Sequence, residues 1–336
     1  MIDISYCRHP KEKSYFAIMA VFAGIIWLIL LIAIASFLGF IGIAIPAILF
    51  LMLIYWIIEL FFRSLMFGNS VLINNEQYAE LNLIAEKYTA ELGLRKKPNM
   101  FLVNSNGVIN AFAVRFLSKK YIILNSSLVD LFYRDGNLED LSFTIGHELG
   151  HHAAGHTSTF KRIFLFPARI LPLIGRAYSR SCELTADRIG CALVNNKPAS
   201  KKALTQLAGG SFALSEKTDT TAFINQGDLI PPVVGFIHKI FSNYPYMTRR
   251  VIEIEYFEMQ FAKVDADNFR RNNNKSEVDE LLTTFSSGFN KLVDQTSKQF
   301  AVGDSKNHDG NKFCTQCGHK VSADDKFCIH CGNKFF

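Results

Sequence analysis

The strongest pattern in the sequence is a long apolar segment near its start. No charged side chain occurs from Ser14 to Ile58, and Ile, Leu, Phe and Ala dominate the segment. A helix of about 20 residues is enough to cross the core of a bilayer. We therefore predict a transmembrane helical hairpin, with spans at residues 15–37 and 43–62 joined by a turn at Gly39–Gly42.

A cleaved signal peptide is the alternative explanation of this segment. Such a peptide has an apolar region of about 7 to 15 residues followed by a small-residue cleavage site, and the sequence shows neither. Arg8, Lys11 and Lys13 precede the first span, Arg63 follows the second, and the turn is uncharged. Because cytoplasmic flanks are rich in Lys and Arg, we predict a multi-pass protein of the cell (inner) membrane with both ends in the cytoplasm.

The sequence after the hairpin predicts an α+β domain that is mainly helical. Apolar residues recur at helical spacing from Glu76 to Leu92 and predict an amphipathic helix. Three short apolar runs predict a small sheet, and two later segments predict helices with polar side chains of interest. The strands are predicted at Met100–Val103, Asn110–Val114 and Tyr121–Leu124, and the helices at Leu138–Gly155 and Arg180–Leu193.

Two further features divide the chain. The segment Ile163–Ile174 is apolar but short and is interrupted by prolines, which predicts a loop or a surface-lying segment near the bilayer instead of a third span. After about Phe261 the composition becomes polar, with a short helix predicted near 277–301. We predict four parts: a hairpin at 1–68, a folded domain at 69–262, a polar linker with a short helix at 263–311, and a small module at 312–336.

Composition narrows the classes of function. The net charge of +6 comes from scattered basic residues without the dense run that follows a phosphate backbone, which argues against nucleic acid as a partner. Of the seven cysteines, four form two C-x-x-C pairs near the C-terminus, and Cys7, Cys182 and Cys191 remain. An odd remainder does not suit a complete disulfide framework, so a reducing compartment is predicted.

The clearest chemical motif is the segment from His147 to His151, which reads H-E-x-x-H on a predicted helix. Histidines four residues apart lie one turn apart on the same face, where both imidazoles can bind one zinc ion. Glu148 is offset toward the open side of such a site and is the candidate general base. The motif alone is only moderately specific, so the surrounding sequence must supply a third ligand.

A catalytic zinc site takes three protein ligands and keeps a fourth position for water or substrate. The layout with a third histidine requires glycine at 154 and histidine at 157, but the chain has Ala154 and Thr157. The layout with a glutamate from a later helix fits Glu183. Asp187, one turn further on the same face, is suited to accept the distal N–H of His147 or His151. In isolation Glu183 and Asp187 would indicate only a solvated helix face; beside the H-E-x-x-H motif we interpret them as a ligand and its supporting residue.

Two neighbouring histidines are interpreted as packing or surface residues. On an ideal helix His152 points roughly 100° away from His151. His156 is predicted to lie on the face opposite His147. Neither is therefore predicted as a metal ligand.

The C-terminal module contains two near-identical segments, Phe313–Gly318 and Phe327–Gly332. Four thiolates in this arrangement predict a structural zinc ribbon, a closed site that leaves no position for substrate. Two disulfides are the alternative, and they would need an oxidising compartment. His319 and His330 are interpreted as bystanders, and a protein partner of the ribbon is one hypothesis for its role. The predicted ligands are Cys314, Cys317, Cys328 and Cys331.

Three segments together resemble a known family. Asn110–Ala113, His147–His151 and Glu183–Asp187 are similar in order and spacing to the signatures of the HtpX-like and CAAX-prenyl-protease group of integral-membrane zinc metallopeptidases. The resemblance covers about residues 70 to 260. It implies a gluzincin-like fold, an active site on the cytosolic side, and a substrate-binding edge strand that pairs with an extended peptide. The strand residues it implies are Asn110, Ala111, Phe112 and Ala113.

The family pattern also contains a His-Pro pair followed by an arginine, and these side chains help to stabilise the transition state. This chain has Tyr244-Pro245 at the first position and Arg250 at the second. A tyrosine hydroxyl can donate a hydrogen bond to an oxyanion. The resemblance therefore implies Tyr244 and Arg250 as candidate catalytic residues.

The sequence as a whole predicts a membrane-anchored zinc-dependent endopeptidase with one catalytic and one structural zinc ion. Its expected substrates are proteins or peptides in membrane or misfolded protein quality control, with Glu148 moving the proton. A catalytically weak or inactive membrane scaffold that recruits partners through its ribbon is the alternative, motivated by the tyrosine at 244. A prenyl-protein processing enzyme is a third hypothesis, against which the presence of only two predicted spans argues.

Overall fold

The computed structural model describes residues 1–36, 41–116, 119–133, 138–170, 172–215 and 217–257, together with the backbone of 312–313 and 320–321. The chain divides into two compact units, Met1–Phe269 and Arg270–Phe336. The helices are α1 (Ile4–Cys7), α2 (Pro10–Ser36), α3 (Ile41–Asn69), α4 (Ala79–Glu91), α5 (Ser126–Phe132), α6 (Glu139–Ala153), α7 (Thr159–Phe164), α8 (Pro172–Val194), α9 (Lys197–Gly209), α10 (Phe212–Ser215), α11 (Thr220–Asn225), α12 (Pro232–Phe241) and α13 (Met247–Tyr256), with 3₁₀ turns at Pro167–Ile170 and Gln226–Leu229. The strands are β1 (Val71–Ile73), β2 (Asn99–Val103), β3 (Ala111–Phe116), β4 (Lys119–Asn125), β5 (Lys312–Phe313) and β6 (Lys320–Val321).

The two long apolar helices predicted near the N-terminus are α2 and α3. By length and composition alone, their segments Pro10–Ile34 and Ile45–Asn69 are long and apolar enough to cross a membrane. Both helices exceed the predicted bounds, since α2 begins at Pro10 and α3 continues through Arg63 to its end at Asn69. Most of the large apolar side chains along them are exposed. The predicted turn lies partly outside the described residues, and its second half already belongs to α3.

A four-stranded mixed sheet has the order β1-β2-β4-β3. The central pair β2 and β4 is parallel, with Met100 opposite Ile122, and β3 runs antiparallel to β4, with Ala113 opposite the same residue. Strands β2, β3 and β4 lie on the three segments that were predicted as strands. β1 was not predicted, because a strand of three residues directly after an apolar helix gives no alternation to detect.

The structure of the segment Ile163–Ile174 differs in one respect from the predicted loop or surface-lying segment. Its last residues are not a loop, because α8 begins at Pro172, well before the predicted start at Arg180. Proline lacks only an N–H that the first turn of a helix does not use, so here it begins a helix that it was expected to interrupt. The preceding residues form the end of α7 and the 3₁₀ turn Pro167–Ile170.

Helices α6 and α8 approach each other closely at two glycines. A Cβ atom on Gly190 would lie 2.9 Å from the Phe143 carbonyl oxygen and 3.2 Å from the His147 backbone nitrogen. A Cβ on Gly146 would lie 3.1 Å from the Gly190 Cα. Only residues without a side chain allow this approach. The contact brings the middle of α8 against the helix that carries the histidine motif.

The N-terminal segment and the first half of α2 are packed against the domain. The backbone N–H of Ile2 donates to the Glu91 carbonyl at 2.8 Å, and that of His9 donates to the Thr185 hydroxyl at 2.9 Å. The first compact unit therefore includes the hairpin helices as well as the domain that follows them.

In the second unit, β5 pairs antiparallel with β6, with Lys312 opposite Val321 and Phe313 opposite Lys320. The four cysteines predicted to bind zinc, and the helix predicted near 277–301, lie outside the described residues. The division of the chain into four parts stays a prediction.

Candidate metal centre

Three side chains from α6 and α8 converge at the predicted metal position. His147 and His151 lie on one face of α6 with their Nε2 atoms 3.2 Å apart. Glu183 of α8 places one carboxylate oxygen 3.5 Å from His147 Nε2 and the other 3.6 Å from His151 Nε2. The donors come from two helices that the glycine contact holds together.

These separations fit a zinc ion. Bonds of about 2.0–2.2 Å at tetrahedral angles separate neighbouring ligand atoms by about 3.3–3.6 Å. Two imidazoles and one carboxylate are also a donor set that binds catalytic zinc and leaves one position for water or substrate. The residues present are therefore suited to zinc.

His147 is oriented by a buried carboxylate. Its Nδ1 lies 2.9 Å from Oδ1 of Asp187, one turn beyond Glu183 on α8. With Nε2 directed at the metal, a neutral imidazole carries its proton on Nδ1 and donates it to this carboxylate. The structure thus brings Asp187 to His147, one of the two histidines that the sequence left as alternatives.

Arg250 lies behind this pair. Its Nε donates to one oxygen of Asp187 at 2.8 Å and its Nη2 to the other at 2.6 Å. Its remaining Nη1 lies 3.6 Å from the sulfur of Met247. The guanidinium, predicted to help stabilise the transition state, thus donates two hydrogen bonds to Asp187 and is also placed to act through it.

His151 has a different support. Its Nδ1 lies 2.9 Å from Nδ1 of His156, whose Nε2 lies 3.2 Å from Oε1 of Glu12 in the first turn of α2. Arg8 donates to the same Glu12 oxygen, and the Thr185 hydroxyl donates to the other at 2.6 Å. With His151 Nε2 directed at the metal, its Nδ1–H donates to His156, which in turn donates its own Nε2–H to Glu12.

The sequence interpretation placed His156 wrongly. It assumed that the helix continues, but α6 ends at Ala153 and the chain turns back at Gly155, whose φ is 75°. The turn brings the His156 ring against His151. His152, by contrast, is a packing residue as predicted: its Nδ1 lies 2.8 Å from the Thr157 hydroxyl, and it is buried.

Glu12 and His156 also lie close to the thiol of Cys182, and these three side chains have the donor types of a metal site. Both Glu12 oxygens and both His156 nitrogens are already engaged in the contacts described above. Burial raises the pKa of the Cys182 thiol to about 12, which keeps it protonated. We interpret this cluster as a support for His151.

Glu148 is a buried carboxyl group beside the three donors. The backbone N–H of Ala113 in β3 donates to it, and its Oε2 has no hydrogen-bond partner in the part of the chain that the structure describes. A buried carboxylate oxygen without a partner is costly, which fits a site that binds a metal and its water. Burial raises the pKa of Glu148 to about 7, close to the value at which a carboxyl group can both take and give a proton.

The pKa values of the three candidate metal ligands are shifted in different directions. Burial acts to lower the pKa of His147, but the hydrogen bonds that its ring donates to Asp187 and Glu183 outweigh burial and raise this pKa to about 10. Burial lowers the pKa of His151 to about 3. For Glu183, burial acts to raise the pKa, but the His147 hydrogen bond and the nearby imidazoles lower it to about 2. A metal ion must therefore displace a proton from His147 when it binds.

A pocket of about 460 Å³ opens beside Glu183. The exposed ring of Tyr244 lies in its wall, and the charge of Glu183, followed by burial, raises the pKa of the Tyr244 hydroxyl. Tyr244 thus borders the same pocket as Glu183, one of the three candidate metal ligands. The lining residues are Arg169, Gly175, Arg176, Ser179, Glu183, Asn243 and Tyr244.

The predicted substrate-binding residues lie at one edge of the sheet. Ala111, Phe112 and Ala113 begin β3, which is an edge strand among the described strands, and Asn110 precedes it. The Asn110 carbonyl accepts a hydrogen bond from the backbone N–H of Asn125 at 3.1 Å. An edge strand offers backbone donors and acceptors to an extended peptide, and the Ala113 contact sets this edge beside Glu148.

Comparison with known proteins gives two matches. Residues 75–166 and 158–258, together more than half of the chain, match peptidase family M48, and residues 307–335 match a zinc-ribbon domain. The chain is similar to Plastoglobule-localized metallopeptidase 48, chloroplastic, of Arabidopsis thaliana, with 28% identity over 174 residues that cover 47% of this chain and 48% of that protein. The chain thus spans about half the length of this curated relative. The predicted C-terminal ribbon and the family resemblance are both confirmed.

Proposed function

Because this chain belongs to peptidase family M48 and carries a zinc-ribbon domain near its C-terminus, we propose that it is a membrane-anchored, zinc-dependent endopeptidase. We assign the catalytic zinc to His147, His151 and Glu183. The observation that carries the assignment is the convergence of their donor atoms at separations of 3.2 to 3.6 Å. A second, structural zinc is assigned to Cys314, Cys317, Cys328 and Cys331.

The mechanism divides the work between the metal and the side chains. Zinc at this site supplies a Lewis acid that polarises the scissile carbonyl and lowers the pKa of water. Glu148 takes the proton of the attacking water and passes it to the leaving amine. The Ala113 N–H holds the Glu148 carboxylate in place, and Asp187 and His156 hold the two imidazoles.

The substrate is proposed to bind as an added strand along β3. An extended peptide there runs past Glu148, because Ala113 contacts both the sheet edge and that carboxylate. The Tyr244 hydroxyl, on the wall of the cleft, donates to the oxyanion. Substrates are proposed to be membrane or misfolded proteins. Both ends of this chain are proposed to lie in the cytoplasm, because basic residues precede the first predicted span and Arg63 follows the second.

Chelation tests the proposed reaction. The purified full chain is expected to degrade azocasein, to lose that activity with a chelator, and to regain it with zinc. The same preparation should contain two zinc ions per chain. Zinc binding without any proteolysis would favour the alternative of an inactive scaffold that recruits partners through its ribbon.

Replacing Tyr244 with phenylalanine tests the oxyanion contact. Removing one such donor costs about 10²–10³ in kcat where it is fully preorganised; since Tyr244 is 62% exposed, we expect a fall of roughly 10- to 100-fold with KM unchanged. Tyr256→Phe, at an exposed position of α13, is the matched control. An unaltered kcat in Tyr244→Phe would remove the tyrosine from the mechanism.

The Glu12–His156 support predicts a loss of zinc affinity. Residues that orient a ligating histidine contribute about 10- to 100-fold in metal affinity, so Glu12→Gln and His156→Leu should each weaken zinc binding in that range. Competition against a chromophoric chelator measures the affinity, and Glu76→Gln, at an exposed site, is the control. Wild-type affinity in both variants would show that His151 needs no such support.

A further inference from the structure

The domain packs against α2 far along its apolar length. Met19 and Ala23 are fully buried in a cluster with residues of α7 and of the 3₁₀ turn. The indole N–H of Trp27 donates to the Phe164 carbonyl at 2.9 Å. The part of α2 beyond this contact, Leu28–Ser36, is about 14 Å long at ~1.5 Å per residue.

The domain also packs against α3, the second helix of the hairpin, well inside its apolar length. Tyr55 and Phe62 pack on Phe116 at the end of β3, with ring centroids 6.0 and 4.8 Å away. The part of α3 before this contact, Ile41–Ile54, is about 21 Å long. A bilayer core is about 30 Å thick. If both helices cross it, as the proposed membrane anchor requires, the bilayer must also surround elements that pack on their inner halves.

The elements packed on α2 expose apolar side chains. Between Leu165 and Ala168, which are buried against α2, Phe166 projects outward. Basic residues such as Arg162 and Arg169 lie among the apolar ones. Long basic side chains can reach lipid headgroups from such a position. The exposed fractions are 81% for Phe160, 58% for Ile163 and 65% for Phe166.

Helix α12 presents a second apolar surface. Arg180 of α8 fixes its C-terminal end by donating to the carbonyls of Lys239 at 2.5 Å and Ser242 at 2.7 Å. Helix α8 also packs against α2, through Tyr178 and Cys182, so the same helix contacts both α12 and α2. A short helix with an exposed apolar face is typical of the bilayer interface. Its exposed fractions are 73% for Val233, 64% for Val234, 64% for Phe236, 50% for Ile237 and 61% for Phe241.

We propose that α7, the 3₁₀ turn Pro167–Ile170 and α12 form one bilayer-contacting surface, so that this face of the catalytic domain is immersed in lipid. The inference rests on the proposed function in one respect, because the pocket lined by Glu183 is also lined by residues of these elements or next to them. Arg169 of the turn lines this pocket, and so do Asn243 and Tyr244, which follow α12. A cleft with this position receives polypeptide from the membrane surface, and its substrates are segments of membrane-anchored proteins close to the bilayer.

Quenching by brominated lipids tests the surface directly. The full chain is reconstituted in phosphatidylcholine vesicles with or without bromine on the acyl chains, and one tryptophan is added at a time in Phe166→Trp and Phe236→Trp. The parent protein, with Trp27 and Trp56, supplies the background to subtract. Leu83→Trp, 60% exposed on α4, is the matched control.

The added emission at 166 and 236 is expected to be quenched as strongly as the parent emission, and that at 83 to be unaffected. If the parent emission is quenched but the emission added at 166 and 236 is not, the proposal of a bilayer-contacting surface is wrong. An unquenched parent would overturn the membrane anchor and the surface together. Neither outcome depends on proteolysis, so a failure of the peptidase assignment is detected separately with azocasein.

A second measurement tests the position of the cleft. The double variant Phe166→Asp with Phe236→Asp should lose cleavage of a vesicle-anchored peptide while it still degrades azocasein in detergent. Leu83→Asp should retain both activities. Equal loss of both activities in the double variant, or of neither, would overturn the inferred entry of substrate from the membrane.

Discussion

Replacing Glu148 with glutamine is expected to abolish proteolysis while zinc stays bound. Glutamine has nearly the same size and keeps an oxygen for the Ala113 N–H, but it cannot take a proton from water. General acid–base catalysis contributes about 10²–10⁴ to the rate, so kcat should fall by at least about 100-fold. Azocasein hydrolysis and zinc content, measured on the same preparation, test both parts.

A control for this variant lies on the same helix. Glu139→Gln, in the first turn of α6 and remote from the metal ligands, should leave both zinc content and rate unchanged. Proteolysis at the wild-type rate in Glu148→Gln would refute the role of general base. Loss of zinc would assign Glu148 to metal binding instead.

Replacing Asp187 with asparagine should have the second largest effect, on stability as well as on the metal. The side chain is fully buried and pairs with both His147 and Arg250. Removing one charge of a buried pair leaves the other uncompensated, at a cost of about 3–5 kcal/mol. Because His147 also loses its negatively charged acceptor, zinc affinity should fall about 10- to 100-fold. Denaturant unfolding and chelator competition measure the two effects.

A double variant separates these contributions. Adding Arg250→Met to Asp187→Asn removes the stranded guanidinium and should restore much of the stability, since apolar replacement of a buried ion pair is often neutral. Zinc affinity should stay low, because His147 still lacks its carboxylate. Recovery of wild-type affinity in the double variant would show that Asp187 serves only to neutralise Arg250.

The sequence predicted the parts of the site that depend on local periodicity. A helix with histidines four residues apart places both rings on one face whatever surrounds it, so His147 and His151 could be read directly. β3 and β4 were predicted for the same reason, as short apolar runs. Periodicity alone did not identify Glu183. A single carboxylate on a later helix can be interpreted as a metal ligand only when the histidine motif is also present.

The missed residues depend on contacts between distant parts of the chain. Glu12 lies 144 positions from His156, and no periodicity connects the start of an apolar helix with the turn after α6. A carboxylate among basic residues at the edge of a membrane span was a usable signal, since charged groups there are often functional. The placement of His156 failed at Gly155, whose positive φ redirects the chain. Arg250 was found by resemblance, but only the fold shows that Asp187 occupies its guanidinium.

The contact between Glu12 and His156 has a consequence for the life of the newly made chain. Synthesis runs from the N-terminus, so α2 leaves the ribosome long before α6 and α8 are available. The support of His151 by His156 and Glu12 therefore forms only when those later helices pack against a segment that was made first. On the proposed function, full zinc affinity and the peptidase activity that depends on it would arise last, once the later helices have packed against the hairpin.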